Sequence, residues 1–255
     1  MIVVTNINKL FDNVSISFIE VKHMKKKTKL MVLAIAVIIL VSPLAVFKII
    51  NLQNSRVPAA SAGGPIRVAC VGDSITEITG YPSKLQSMLG DNYSVGNFGA
   101  TGSTVLLNSW KPYMDQPQFE NAKAFEPNIV VIMLGTNDDL KELELYNESF
   151  EGDYSTLISS FQKLQSNPQI LIANSPPIFS NSSDLNSSYL ADTIIPQTDN
   201  LASKMSLPLI DVYDSFGNNS DYFVDGVHPN IEGAALIATD VCDTIDPSWN
   251  LTQTP

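Results

Sequence analysis

Two stretches carry apolar or small side chains at consecutive positions, Val68-Ala69-Cys70-Val71-Gly72 and Ile129-Val130-Val131-Ile132-Met133-Leu134. A strand exposed on one face would alternate, whereas an unbroken run suits a strand covered on both faces. Shorter runs at 93–97, 169–173 and 207–211 are read as three more strands. Between them the period changes. Leu85, Met88 and Leu89 recur at helical spacing inside residues 81–90, with Pro82 in the first turn and Gly90 at the end. Leu157, Ile158, Phe161 and Leu164 share one face of a helix over 154–164, and a further helix spans 189–205. A closing helix spans 231–245, with Ile231, Ala235 and Thr239 along one line and Leu236 and Cys242 beside it. Residues 105–113 have no clean period, and 175–188 form a polar loop rich in asparagine and serine. Strands alternating with helices predict an α/β chain with a parallel sheet.

The pattern before residue 66 is of another kind. A basic block, Met24-Lys25-Lys26-Lys27-Thr28-Lys29, precedes an uncharged apolar run over 30–47, and residues 51–65 are a polar linker containing alanine, glycine and proline. Basic-then-apolar is the order of a secretory signal, yet the run exceeds the usual apolar region of about 7–15 residues and sits near the lower limit of about 17 for a spanning helix. A retained transmembrane anchor and a cleaved signal are both open. The four lysines before the run outnumber Lys48 and Arg56 after it, which puts the C-terminal domain outside the cytosol. That domain is expected to be membrane-anchored, or secreted if the segment is cleaved. The organisation expected is a cytosolic segment over 1–29, the anchor or signal over 30–50, the linker, one domain over 66–247 and a tail over 248–255. Because Met24 heads a well-formed signal, translation is expected to begin there.

Composition alters this picture little. With 255 residues and a 44% hydrophobic composition the chain can bury one sizeable core, and no internal repeat is visible. From Gly63 onward there are 7 basic and 24 acidic residues, a balance of −17. Nucleic acid and anionic membrane surfaces are therefore poor partners for the domain. Six sequons follow the linker, at Asn92, Asn147, Asn181, Asn186, Asn218 and Asn250. Cys70 and Cys242 fall in the first strand and the last helix, where either a disulfide or two small buried apolar groups would suit them.

Candidate chemistry gathers at strand ends. Gly72-Asp73-Ser74 follows the first strand, and in an open α/β sheet the carboxyl end of a strand is where ligands bind. Ser74 is thus a candidate nucleophile in need of a base, an orienting acid and an oxyanion site. The chain has two histidines, and His23 lies before the apolar N-terminal run. The other, His228, stands in Asp225-Gly226-Val227-His228-Pro229, where Asp225 can hold the imidazole through Nδ1 and leave Nε2 for a serine proton. The glycines of Asn97-Phe98-Gly99-Ala100-Thr101-Gly102-Ser103 allow close approach of a backbone N–H to a ligand. Gly135-Thr136-Asn137-Asp138 brings a side-chain amide to the same edge as Ser74.

In that order, Gly72-Asp73-Ser74, the Gly102 loop, Gly135-Thr136-Asn137-Asp138 and Asp225-Gly226-Val227-His228-Pro229 resemble the four sequence blocks of the SGNH (GDSL-type) hydrolases. The likeness runs from about residue 66 to 245, with Ile75 where the family's nickname has leucine. It implies a three-layer, flavodoxin-like fold with a five-stranded parallel sheet in the order 2-1-3-4-5. It also implies a serine esterase with Ser74 as nucleophile, His228 as base and Asp225 as its orienter. The oxyanion donors implied are the N–H groups of Ser74 and Gly102 and the amide of Asn137. No metal or other cofactor is required. Residues 105–113, 150–164 and Ser175-Pro176-Pro177 are similar to members that remove acetyl groups from carbohydrates. Trp110 and Tyr113 are accordingly candidates for a wall that stacks on a sugar ring, or else they roof the core. The substrate is expected to be a small-molecule or glycan ester. A lysophospholipase, an O-acyltransferase using the same residues and a non-catalytic glycan-binding protein are the rival readings.

Overall fold

The computed structural model describes residues 64–140, 143, 148–179 and 185–246. The anchor or signal, His23, the linker up to residue 63, the start at Met24 and the tail lie outside these residues. Among the described residues no helix is long and apolar enough to cross a membrane.

Five parallel strands form the sheet: β1 (Ile66–Gly72), β2 (Tyr93–Gly99), β3 (Ile129–Met133), β4 (Gln169–Ala173) and β5 (Leu209–Ile210), in the order β2-β1-β3-β4-β5. This is the expected three-layer fold. Every residue of β3 is buried, as its unbroken apolar run requires. Along β1 the side chains divide by parity. Ala69 and Val71 join one core with Val130, Ile132, Ile170 and Ile172. Ile66, Val68 and Cys70 join another with Ile129, Val131, Met133 and Leu171.

Helices cover both faces. On the first lie α3 (Pro117–Ala124), α4 (Phe150–Gln162) and α6 (Ile195–Met205); on the second lie α1 (Ser74–Ile78), α2 (Tyr81–Leu89), α7 (Val212–Phe216) and α8 (Ile231–Ile245). The expected face of α4 is buried through Leu157, Ile158 and Phe161, extended by Phe150 and Tyr154. The expected helix over 189–205 is composite: a short α5 (Ser187–Tyr189), a π-helical turn (Leu190–Ile194) and then α6.

Two expectations need correction, and two elements have no predicted counterpart. The line Ile231, Ala235, Thr239 on α8 is not the buried one: Ile231 is exposed, and the helix packs through Ala234, Ile237, Ala238, Val241, Cys242 and Ile245. β5 is shorter than 207–211 because Pro208 has no N–H to give the ladder and Asp211 turns to cap α7, its Oδ1 accepting from Asp214 N at 3.1 Å. Helix α3 has no counterpart among the predicted elements; only Phe119 and Ala122 of it are buried, too few to mark a period. α7 has no predicted counterpart either, being five residues long.

The register sets the site. Gly72 pairs with both Gly99 and Met133, Met133 with Ala173, and Ala173 with Ile210. The carboxyl ends of all five strands are therefore level, and the five segments that leave them emerge at the same edge.

Candidate active site

The serine corner is built from a close approach and a cap. A Cβ on Gly72 would lie 2.0 Å from Thr76 Oγ1 and 2.6 Å from the Met133 carbonyl oxygen, so only glycine lets α1 fold back against β1 and β3. Asp73 then caps α1, its Oδ1 accepting from Ile75 N at 2.9 Å, and Ser74 is the first helical residue. At that position the Ser74 N–H has no partner within the helix. The Ser74 side chain is nearly enclosed, at 6% exposure.

Opposite it stands the turn after the short helical segment Ser220–Tyr222. Val224 N donates to the His228 carbonyl at 2.9 Å and closes the turn. Inside it, Asp225 Oδ1 accepts from Val227 N at 3.0 Å and from His228 N at 2.8 Å, which leaves Oδ2 facing His228 Nδ1 at 2.8 Å. The imidazole's other nitrogen, Nε2, lies 2.9 Å from Ser74 Oγ. Three side chains from residues 74, 225 and 228 thus form one hydrogen-bonded series. Burial works to raise the Asp225 carboxyl, but it is outweighed by hydrogen bonds from the His228 N–H, the His228 ring and Val227 N–H, which hold it at about 2.

The Gly102 loop leaves β2 as a tight turn. Ser103 N donates to the Ala100 carbonyl at 3.0 Å, and Gly102 adopts φ +72°, which favours glycine. The Gly102 N–H has no acceptor among the described residues. Beyond the turn the chain is anchored from below by Asp138. Its buried carboxylate accepts from Val105 N and Leu106 N, each at 2.9 Å. Asn137, one residue earlier, directs Nδ2 to the Ser103 carbonyl at 2.9 Å and to Asp73 Oδ2 at 3.3 Å. Burial pushes the carboxyls of Asp73 and Asp138 up, to about 6 and about 7, against the hydrogen bonds that lower them. In the sequence Asp138 reads only as part of a block. The signal of its role is an acid five residues past the end of a fully apolar strand, where a buried carboxylate must find backbone donors.

The two aromatic candidates separate. Tyr113 is fully buried, edge-on to Phe119 with centroids 6.2 Å apart, and its hydroxyl donates to the Phe98 carbonyl at 2.6 Å. It roofs the core and cannot meet a sugar, which corrects its place among the substrate-binding candidates. Trp110 is 61% exposed. Its ring edge touches Gly102, with Cη2 3.1 Å from where a Cβ on that glycine would stand. Cys70 and Cys242 are buried as free thiols in the same core.

A doubly covered parallel sheet in the order 2-1-3-4-5, with serine, histidine and aspartate in series at its carboxyl edge, is an acylhydrolase architecture. Residues 70–236 match the model of the GDSL-like lipase/acylhydrolase family, and the chain belongs to that family. It is 35% identical over 199 residues to an acetylxylan esterase of Xylanibacter ruminicola, an alignment that takes in 68% of this chain and 42% of that protein. The chain thus spans under half the length of that relative. Among solved structures, a carbohydrate acetylesterase family member from Sinorhizobium meliloti superposes with a TM-score of 0.59 at 18% identity, covering 72% of this chain and 99% of its own. An acetylxylan esterase from Geobacillus stearothermophilus superposes with a TM-score of 0.59 at 20% identity, covering 73% and 97%. At these identities the structures share the fold.

Proposed function

We propose that the protein is a serine esterase that removes short acyl groups, acetyl above all, from a carbohydrate. The observation that carries this reading is the series Ser74 Oγ, His228 Nε2, His228 Nδ1, Asp225 Oδ2, with links of 2.9 and 2.8 Å. His228 takes the Ser74 proton as Oγ attacks the ester carbonyl, and Asp225 holds the imidazole in the tautomer that accepts it and stabilises the cation that forms. The tetrahedral oxyanion lies between the free N–H groups of Ser74 and Gly102. Asn137 adds a third donor: one of its N–H bonds stays on the Ser103 carbonyl, and the other, held by Asp73 at 3.3 Å, turns to the oxyanion. Collapse expels the alcohol, which takes the proton from His228. Water then attacks the acyl-enzyme, losing its proton to His228, which returns it to the departing Ser74 Oγ as the carboxylic acid leaves.

The substrate half of the reading is supported by Trp110, a solvent-facing indole in contact with Gly102, where a sugar carrying the ester would stack. It is supported also by the likeness to an acetylxylan esterase. Retention of the N-terminal segment as an anchor would hold this domain outside the cytosol, where polymeric carbohydrate is met.

Acetate release from p-nitrophenyl acetate and from an acetylated sugar by the full chain, each compared with Ser74→Ala, tests the proposal. We expect the variant to lose about 10³-fold or more in turnover while keeping its circular dichroism spectrum. A folded Ser74→Ala chain that still released acetate would overturn it.

A further inference from the structure

The Gly102 N–H belongs to a peptide unit whose other end is held by a charge. Lys111 Nζ donates to the Thr101 carbonyl at 2.7 Å, and the Thr101 C=O and Gly102 N–H are the two ends of one rigid plane. Across a trans peptide they point in opposite directions, so fixing the carbonyl fixes the N–H. This plane is the central one of the Ala100–Ser103 turn. With φ positive at Gly102 and not at Thr101, the turn is type II. Type I, the commoner alternative, differs by a flip of that same central peptide, which would carry the Gly102 N–H to the far side.

Two further contacts show that the arrangement is built. Glu77 Oε2 accepts from Thr101 N at 2.6 Å and so holds the preceding peptide. Lys111 is itself anchored: Thr104 N donates to its carbonyl at 3.1 Å, and its own N–H donates to Ser109 Oγ at 3.2 Å. Its stem runs past Gly102, with Cδ 4.0 Å from the position a Cβ would take there.

We infer that Lys111 is a positioning residue for the oxyanion site, locking the Thr101–Gly102 peptide in the orientation that presents the Gly102 N–H to the reacting carbonyl. This rests on the esterase reading of the site. Without the ammonium the turn samples its flipped form, and transition-state stabilisation is lost while ground-state binding is not, because the charge on the carbonyl oxygen develops only during attack.

The test is the hydrolysis of p-nitrophenyl acetate by full-length Lys111→Met, Lys111→Gln and Lys111→Arg beside Ser74→Ala. The neutral variants should lose about 10-fold in kcat, less than the 10²–10³ that deletion of a donor typically costs. Their KM should stay within about twofold, and Lys111→Arg, which can still donate to the carbonyl, should recover most of the rate. Lys111→Gln stands in if the methionine variant does not fold. Unchanged kcat in the neutral variants beside an inactive Ser74→Ala would overturn the role of Lys111 and leave the esterase intact. So would a rise in KM alone, which would make the lysine a substrate contact, or equal losses in the arginine variant. An active Ser74→Ala would remove the esterase reading and this inference together.

Discussion

The aspartates of this edge fall into two regions with opposite electrostatics. Asp73 and Asp138 lie under the strand ends, almost wholly buried, and burial raises both carboxyls. Asp225 sits on the rim with its side chain 54% exposed and is held near 2 by hydrogen bonds from its own turn. The buried pair receives backbone N–H groups from α1 and from residues 105 and 106, and so fixes where the loops run. The rim acid receives two N–H groups with one oxygen and keeps the other for the imidazole. One residue type thus serves as scaffold or as the partner of an imidazole, according to what its second oxygen faces.

The largest effect expected of breaking this contrast is at Asp225. Asparagine there must turn its carbonyl toward the N–H groups of Val227 and His228, because its NH₂ cannot accept them. Its NH₂ then meets His228 Nδ1 and forces the proton to Nε2, the atom that should receive the proton from Ser74. Turnover by Asp225→Asn should fall by about 10³–10⁴-fold with the melting temperature little changed. Steady-state kinetics and calorimetry on the same sample check it, and a loss of less than tenfold would contradict the series as drawn.

The buried pair should appear in stability rather than in rate. A carboxyl raised in the fold keeps its proton where the unfolded chain has lost it, so the native state binds more protons between about pH 4 and 7. Stability contributed this way is present at the low end of that window and is lost as pH rises through the folded values of about 6 and 7. Asp225 has the opposite sign, its contribution vanishing only as pH falls from about 4 toward 2. Urea midpoints should therefore decline from about pH 4.5 to about pH 7.5. In Asp138→Asn, which keeps an acceptor for one of the two N–H groups, the decline should be shallower. A wild-type slope in that variant would show that general acidic repulsion, not the buried pair, sets the pH response.

Legibility in the sequence divides along the same line. Strands β1 and β3 can be read because burial on both faces leaves no alternation to confuse, and β4 is found with its bounds at Gln169 and Ala173. Ser74, Asp225 and His228 can be read because each closes a short local motif whose chemistry is carried by residue type. The contacts of Asp138 and Lys111 cannot, since their partners are backbone groups of residues 105, 106 and 101, and a sequence carries no mark of which peptide a charge will reach. The buried line of α8 is there to be read: Ile237, Val241 and Ile245 recur at helical spacing with Ala234, Ala238 and Cys242 beside them, and Glu232, Asp240 and Asp243 mark the opposite side, whereas the line through Ile231 takes an exposed first-turn residue for a core one.

The smallest effect sharpens the contrast of rim and core in two aromatic residues three positions apart. Trp110, exposed beside Gly102, should matter only to a substrate with a ring to lay on it. Trp110→Ala is expected to raise KM for an acetylated sugar about three- to tenfold, the equivalent of one lost stacking contact of about 0.5–1.5 kcal/mol, and to leave an acyclic ester such as ethyl acetate nearly unaffected. Tyr113→Phe keeps the ring in the core and deletes only the hydrogen bond to the Phe98 carbonyl, so it should cost about 1 kcal/mol of stability and no activity on either ester. The two variants measured together separate the roles. If Tyr113→Phe raised the sugar's KM, the buried hydroxyl would be shaping the sugar site through β2, and the assignment of stacking to Trp110 alone would have to be given up.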